Sequence, residues 1–142
     1  MKKNFMIDYQ GVAVQFDGLY CDIHNEYDLV SVYIDYIKKT LSVIFERNQF
    51  SGALAIVKTL RLEAAGIDYL NININTFDIN NEYVEEIGYK KCEDFGVDYL
   101  LNDDTFEESN HLVIYLGSKS LDRNSKGIIR LHSSTLVAVQ VA

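Results

Sequence analysis

The sequence predicts an α+β fold: a mainly antiparallel β-sheet of about seven or eight strands with one central helix. Three observations lead there. Apolar and polar residues alternate in runs on both sides of the chain's middle, one stretch near residue 80 changes to helical spacing, and proline is absent throughout. With no Ser/Gly-rich linker and 142 residues, a single compact domain over 1–142 is expected.

In chain order, Val12, Val14 and Phe16 alternate with Ala13 and Gln15, and Asp17-Gly18 then supplies a turn pair that tolerates positive φ. A first strand ends near Phe16. From Leu29 to Tyr36, Val30, Val32, Ile34 and Tyr36 share one face against Ser31, Tyr33 and Asp35. Lys38 and Lys39 interrupt, and Leu41, Val43 and Phe45 resume against Ser42 and Ile44, which reads as a β-hairpin. Leu54 to Ala64 repeats the device, with Leu54, Ile56, Leu60 and Leu62 opposed to Thr59, Arg61 and Glu63. Leu70, Ile72 and Ile74 then alternate with Asn71, Asn73 and Asn75 as a half-wet strand.

The period changes at Asn80-Asn81-Glu82, an N-cap signal with acids behind it. Tyr83, Val84, Ile87 and Lys91 fall at helical spacing, so a helix is expected from about Asn81 to Glu93, with Gly96 beyond its end. Asp98 to Asn110 reads as an exposed acidic loop. Strands return at Leu112 to Leu116, Gly127 to His132 and Leu136 to Val141, the first two separated by a polar turn from Ser118 to Lys126.

A hydrophobic share of 48% and a charged share of 24% are those of a globular chain rather than a disordered one. The opening Met1-Lys2-Lys3-Asn4-Phe5 starts like an export signal, but Asp8 and Gln10 interrupt before an apolar stretch develops, and no run is long enough to cross a bilayer. A cytoplasmic protein is expected, with no membrane partner and with Cys21 and Cys92 as reduced thiols. Net charge is −8, and residues 78–108 hold eleven acids against two bases, a net of −9 that exceeds the whole. Charge of that sign repels a phosphate backbone, so no direct nucleic-acid binding is expected, and its complement is a basic protein.

Catalytic and metal signatures are sparse. The chain has no phosphate-cradling Gly-rich loop, no Gly-x-Ser-x-Gly elbow and no pair of histidines at metal spacing. Cys21-Asp22-Ile23-His24 with Asp28 has half the residues of a zinc site, but its other half is missing. The pairs Glu85-Glu86, Asp103-Asp104 and Glu107-Glu108 read as solvated faces, because adjacent side chains diverge. No enzyme, cofactor or metal is therefore expected. Ten tyrosines, several beside acids, fit a protein-binding surface, since tyrosine joins apolar area to a polar tip. The acidic middle is the expected contact face: Asp103, Asp104, Glu107 and Glu108 steer a basic partner, and Tyr99 and Tyr89 anchor it.

The stretch Asp22-Ile23-His24-Asn25-Glu26-Tyr27-Asp28, followed by Val30 to Asp35, Leu41 to Glu46 and Ala55 to Leu62, then a later strand and short helix, resembles immunity proteins of bacterial polymorphic-toxin and contact-dependent growth-inhibition systems. The likeness is one of pattern, covers roughly half the chain and lacks the tryptophan common in several such families. It implies a stoichiometric inhibitor that blocks the active site or substrate groove of a cognate, basic toxin domain such as a nuclease. Two other classes fit the same chain: an acidic phage-type inhibitor that mimics nucleic acid, and a small enzyme or ligand-binding domain.

Overall fold

Alternation of apolar and polar residues builds the observed architecture almost by itself. The computed structural model describes residues 1–52, 56–74, 82–118 and 127–141. Among these, ten strands form: β1 (Lys2–Lys3), β2 (Met6–Ile7), β3 (Ala13–Phe16), β4 (Leu19–Asp22), β5 (Tyr27–Asp35), β6 (Thr40–Arg47), β7 (Thr59–Asn73), β8 (Glu82–Lys90), β9 (His111–Ser118) and β10 (Gly127–Val141). A seven-stranded sheet runs β5-β6-β7-β10-β9-β8, with β1 parallel to the far half of β10, and a three-stranded sheet runs β2-β3-β4. Every pairing except that of β1 is antiparallel.

The large sheet curls around one core. Its inner rows run across strands as Leu41, Ala64 and Leu136, as Val43, Leu62 and Ala138, and as Ile87, Ile114 and Ile129, all buried. Packing of this kind, about 25 cal/mol per Å² removed from water, is the main force holding the sheet. The small sheet lies over the same core with its own inner row, Ile7, Val14 and Cys21, directly opposite one another and buried. A two-residue turn joins β3 to β4, and Asp17 and Gly18 both adopt positive φ (49° and 73°), as the Asp-Gly pair predicts.

The expected central helix is absent, and the class is correspondingly nearly all β. Residues Glu82–Lys90 form strand β8, and the described helical structure is a single short 3-10 turn at Asp103–Thr105. The cause is a bulge: Val84 opposes Leu116 and Glu86 opposes Tyr115, so Glu85 is an extra residue. An inserted residue turns Val84 and Ile87, three apart, onto the same core face, a spacing that mimics a helical one. Tyr83, Val84, Ile87 and Tyr89 are also β-favouring side chains. Gly88 completes the case, because a Cβ there would lie 2.6 Å from Leu100 Cβ and 2.8 Å from Leu101 O. Asn80 and Asn81, the expected cap, lie outside the described residues, as do Leu54, Asp78 and most of the turn from Ser118 to Lys126.

Strands β7 and β10 are each continuous where the sequence shows two separate runs. Their register shifts between His132 and Ser133: His132 opposes Tyr69 while Ser133 opposes Ile67, leaving Asp68 as the extra residue. Two residues earlier, Gly66 adopts φ +68°, and a Cβ there would sit 2.5 Å from Ser134 Oγ. No helix among the described residues is long and apolar enough to cross a membrane.

Candidate partner-binding surface

The outer face of the small sheet is the most distinctive open surface. In a strand, neighbours point to opposite faces, so burying Ile7, Val14 and Cys21 forces Met6, Gln15 and Tyr20 outwards. These three stand side by side across β2, β3 and β4, and Met6 and Tyr20 are about half exposed. A depression flanks the row on each side. One of about 400 Å³ reaches Asn4, Asp17 and Leu19; the other, about 360 Å³, reaches Asp8, Tyr9 and Asp104. Among the described residues, no lysine or arginine lines either one. Partial burial, then the charges of Asp8 and Asp22, push the Tyr20 phenol above its ordinary range, so it remains a protonated donor.

This surface is held rigid from behind. Asp8 Oδ1 accepts the backbone N–H of Val12 and of Ala13, both at 2.9 Å, fixing the loop before β3. Ile87 N–H donates to Gly11 O at 2.7 Å, tying that loop to the edge of β8. Asp103 accepts from Lys3 Nζ and from Ile7 N–H, and lies 3.4 Å from the Tyr89 hydroxyl.

The six residues expected to meet a partner therefore divide. Asp104 is exposed and lines the second depression, while Glu107, Glu108 and Tyr99 are exposed farther along the same segment. Asp103 is largely buried in an ion pair with Lys3. Tyr89 is fully buried, packs its ring 4.6 Å from Phe106, and belongs to the core rather than to a contact face. Asp94 and Asp98 are likewise engaged, by Lys90. Sequence reasoning missed Met6, Gln15 and Tyr20 as a set; the alternation around Val14 and Phe16 pointed Gln15 outwards, but nothing local placed it beside Met6 and Tyr20.

A second polar cluster covers the outer face of β9 and β10. Arg130 is buried, and its guanidinium donates to His111 Nδ1 (2.9 Å), Asp94 O (2.6 Å), Lys91 O (3.1 Å) and Cys92 O (3.4 Å), with Phe95 stacked 4.3 Å from its centre. His111 stacks on Tyr69 at 4.6 Å. His132 presents Nδ1 to Asp68 Oδ1 (2.6 Å) and Nε2 to Glu108 O (3.0 Å). Both of its nitrogens thus face acceptors, and every named contact of Arg130 is internal. The cluster clamps residues 91–110 across the sheet.

The clamp carries a pH dependence. Burial, then the charges of Arg130 and His132, lower His111 from 6.5 to about 4. As pH falls the unfolded chain takes up this proton first, so the stabilisation is complete above about 6.5 and is lost on descending towards 4. Stability measured by denaturant between those pH values should fall by up to about 1.4 kcal/mol per pH unit from this group. His111→Gln, which keeps an acceptor for Arg130, should flatten that slope; an unchanged slope would remove His111 as its source.

The Cys21-His24 pair does not form a joint site. Cys21 is buried in the inner row, where burial raises its thiol, while His24 donates from Nδ1 to Val84 O (2.6 Å) and lines a different depression. Among the described residues no group of three or more His, Cys, Asp and Glu stands together as metal ligands would, and Cys21 and Cys92 are unpaired thiols. Comparison with protein-family profiles, with curated proteins and with solved structures returns no match for the chain.

Proposed function

We propose that the chain is a stoichiometric inhibitor of the immunity type, which docks a basic toxin domain on the outer face of its small sheet and covers that domain's active site or substrate groove. One observation carries the reading: an exposed row of Met6, Gln15 and Tyr20, pinned from behind, is flanked by acid-rimmed depressions that no cation among the described residues lines. Aromatic and methionine side chains are enriched at interface centres, and an acidic rim steers a basic partner and speeds its encounter. Pinned backbone behind the row lowers the entropy lost on binding.

The test is genetic and then physical. The reading frame immediately preceding this gene, expressed alone, is expected to arrest growth, and co-expression of this chain to restore it through a one-to-one complex. Tyr20→Ala and Met6→Ala should each weaken that complex about tenfold, the loss of one central side chain. Absence of arrest, or rescue without a complex, would refute the reading.

A further inference from the structure

Strands β5 and β6 are joined by a turn over residues 36–39, since Asp35 opposes Thr40 in the ladder. Its tip carries Tyr36 and Ile37 into water, 78% and 95% exposed. A loose loop would fold such side chains back, but this one is fixed. Asp35 Oδ1 accepts the N–H of both Ile37 and Lys38 at 3.0 Å, Lys39 turns the chain with φ 54°, and Ile67 N–H donates to Lys39 O at 3.2 Å. An isoleucine held in water by a pinned backbone is a ready apolar knob.

Beside the knob is a hole. A hollow of about 230 Å³ is floored by Ile34, Ile67 and Leu70, which pack on the edge of the core, and rimmed by Tyr36, Lys39 and Asp68. It is smaller than the roughly 300–1,000 Å³ of most small-molecule sites, and suits a single aliphatic side chain. Tyr36 and Lys39 also bracket Ile37 along the chain, so knob and hole adjoin on one patch. A self-complementary contact needs that arrangement, because a two-fold axis between them sends each Ile37 into the other copy's hollow.

Charge selects the same occupant. At −8 overall, two copies of this chain repel one another. Around this patch two acids, Asp35 and Asp68, are matched by two bases, Lys38 and Lys39, which makes it a neutral contact on an acidic molecule. The axis that seats Ile37 also carries Lys38, its neighbour, towards the acids on the partner's rim. A basic partner would instead meet two lysines at the tip.

We infer that a second copy of this chain docks on the β5-β6 turn about a two-fold axis, Ile37 of each copy filling the hollow of the other. The described residues at this hollow are distinct from those lining the depressions beside Met6, Gln15 and Tyr20, so the inference does not rest on the inhibitor reading.

The experiment is sedimentation of the free chain under reducing conditions, which keep the exposed Cys92 from cross-linking. So small a contact should give a weak, reversible dimer with a Kd on the order of 100 µM. Methyl NMR over the same dilution should move Ile34, Ile37, Ile67 and Leu70 together. Ile37→Asp, at an exposed tip, should leave the fold intact and weaken the dimer by at least about tenfold. Lys38→Glu should weaken it about threefold, a difference that added salt diminishes. A chain that stays monomeric up to about 1 mM would overturn the inference. Should toluene then shift the same methyls saturably, the hollow would be a small-ligand site instead. A dimer that Ile37→Asp leaves intact would overturn its placement on this turn.

Discussion

Arg130→Ala is expected to cost about 3 kcal/mol or more of folding stability and to release residues 91–99 from the sheet. Hydrogen bonds to charged groups contribute about 1.5–3 kcal/mol each, and truncation removes the one donor group that three carbonyls share. Arg130 supplies such bonds to Lys91 O, Cys92 O and Asp94 O while bonding His111, and its guanidinium is covered by Phe95. Arg130→Lys should recover only part of the loss, because an ammonium cannot reproduce the planar fork. Denaturant unfolding and limited proteolysis within 91–99 would report the two effects. A loss below about 1 kcal/mol with the segment still protected would mean that Phe95 and the bridge between Tyr89 and Leu101 hold it without the arginine.

Asp103→Asn and Asp104→Asn, adjacent and chemically identical, are expected to fail in different assays. Asp103 is paired with Lys3, both side chains being about 10% exposed, and it also accepts from Ile7 N–H. Removing one partner of a buried pair costs about 3–5 kcal/mol, so Asp103→Asn should lower the unfolding midpoint sharply. Asp104 is exposed on the rim of a depression, so its neutralisation should change stability by less than about 0.5 kcal/mol. It should instead slow association with the proposed toxin partner and flatten the salt dependence. Equal melting curves for the two variants would make Asp103 an ordinary surface charge.

Legibility of the fold followed the regularity of the alternation. A bulge between Leu29 and Ser31 takes Val30 off the face it was expected to share with Val32 and Ile34, whereas strand β6, the later part of β5 and the Asp17-Gly18 turn were readable because their pattern is local. Strand β8 was not, since its bulge at Glu85 imposes a three-residue spacing on Val84 and Ile87 that a sequence shares with a helix. The apparent gaps after Ala64 and after His132 are one bulge region seen from two strands, and only their pairing reveals it. The same limit applies to the surfaces. An acidic segment is visible as composition, but Lys3 and Asp103 are 100 residues apart, and Arg130 and Asp94 are 36 apart. Which carboxylates are spent internally is decided by the fold.

Strand β10 has a kinetic consequence. It pairs β7 along its length, β9 along its first half and β1 along its second. The units β5-β6-β7 and β8-β9 each lack a neighbour on one side until it enters, and β1 has no place in the sheet before then. Pairing of β9 with β10 is near in sequence, but joining the two halves through β7 and β10 brings together residues far apart in sequence, with loop closure preceding any reward. Folding of the large sheet should be slow and nearly all-or-none, and the open edges of β7 and β9 are exposed to mispairing for as long as β10 is late.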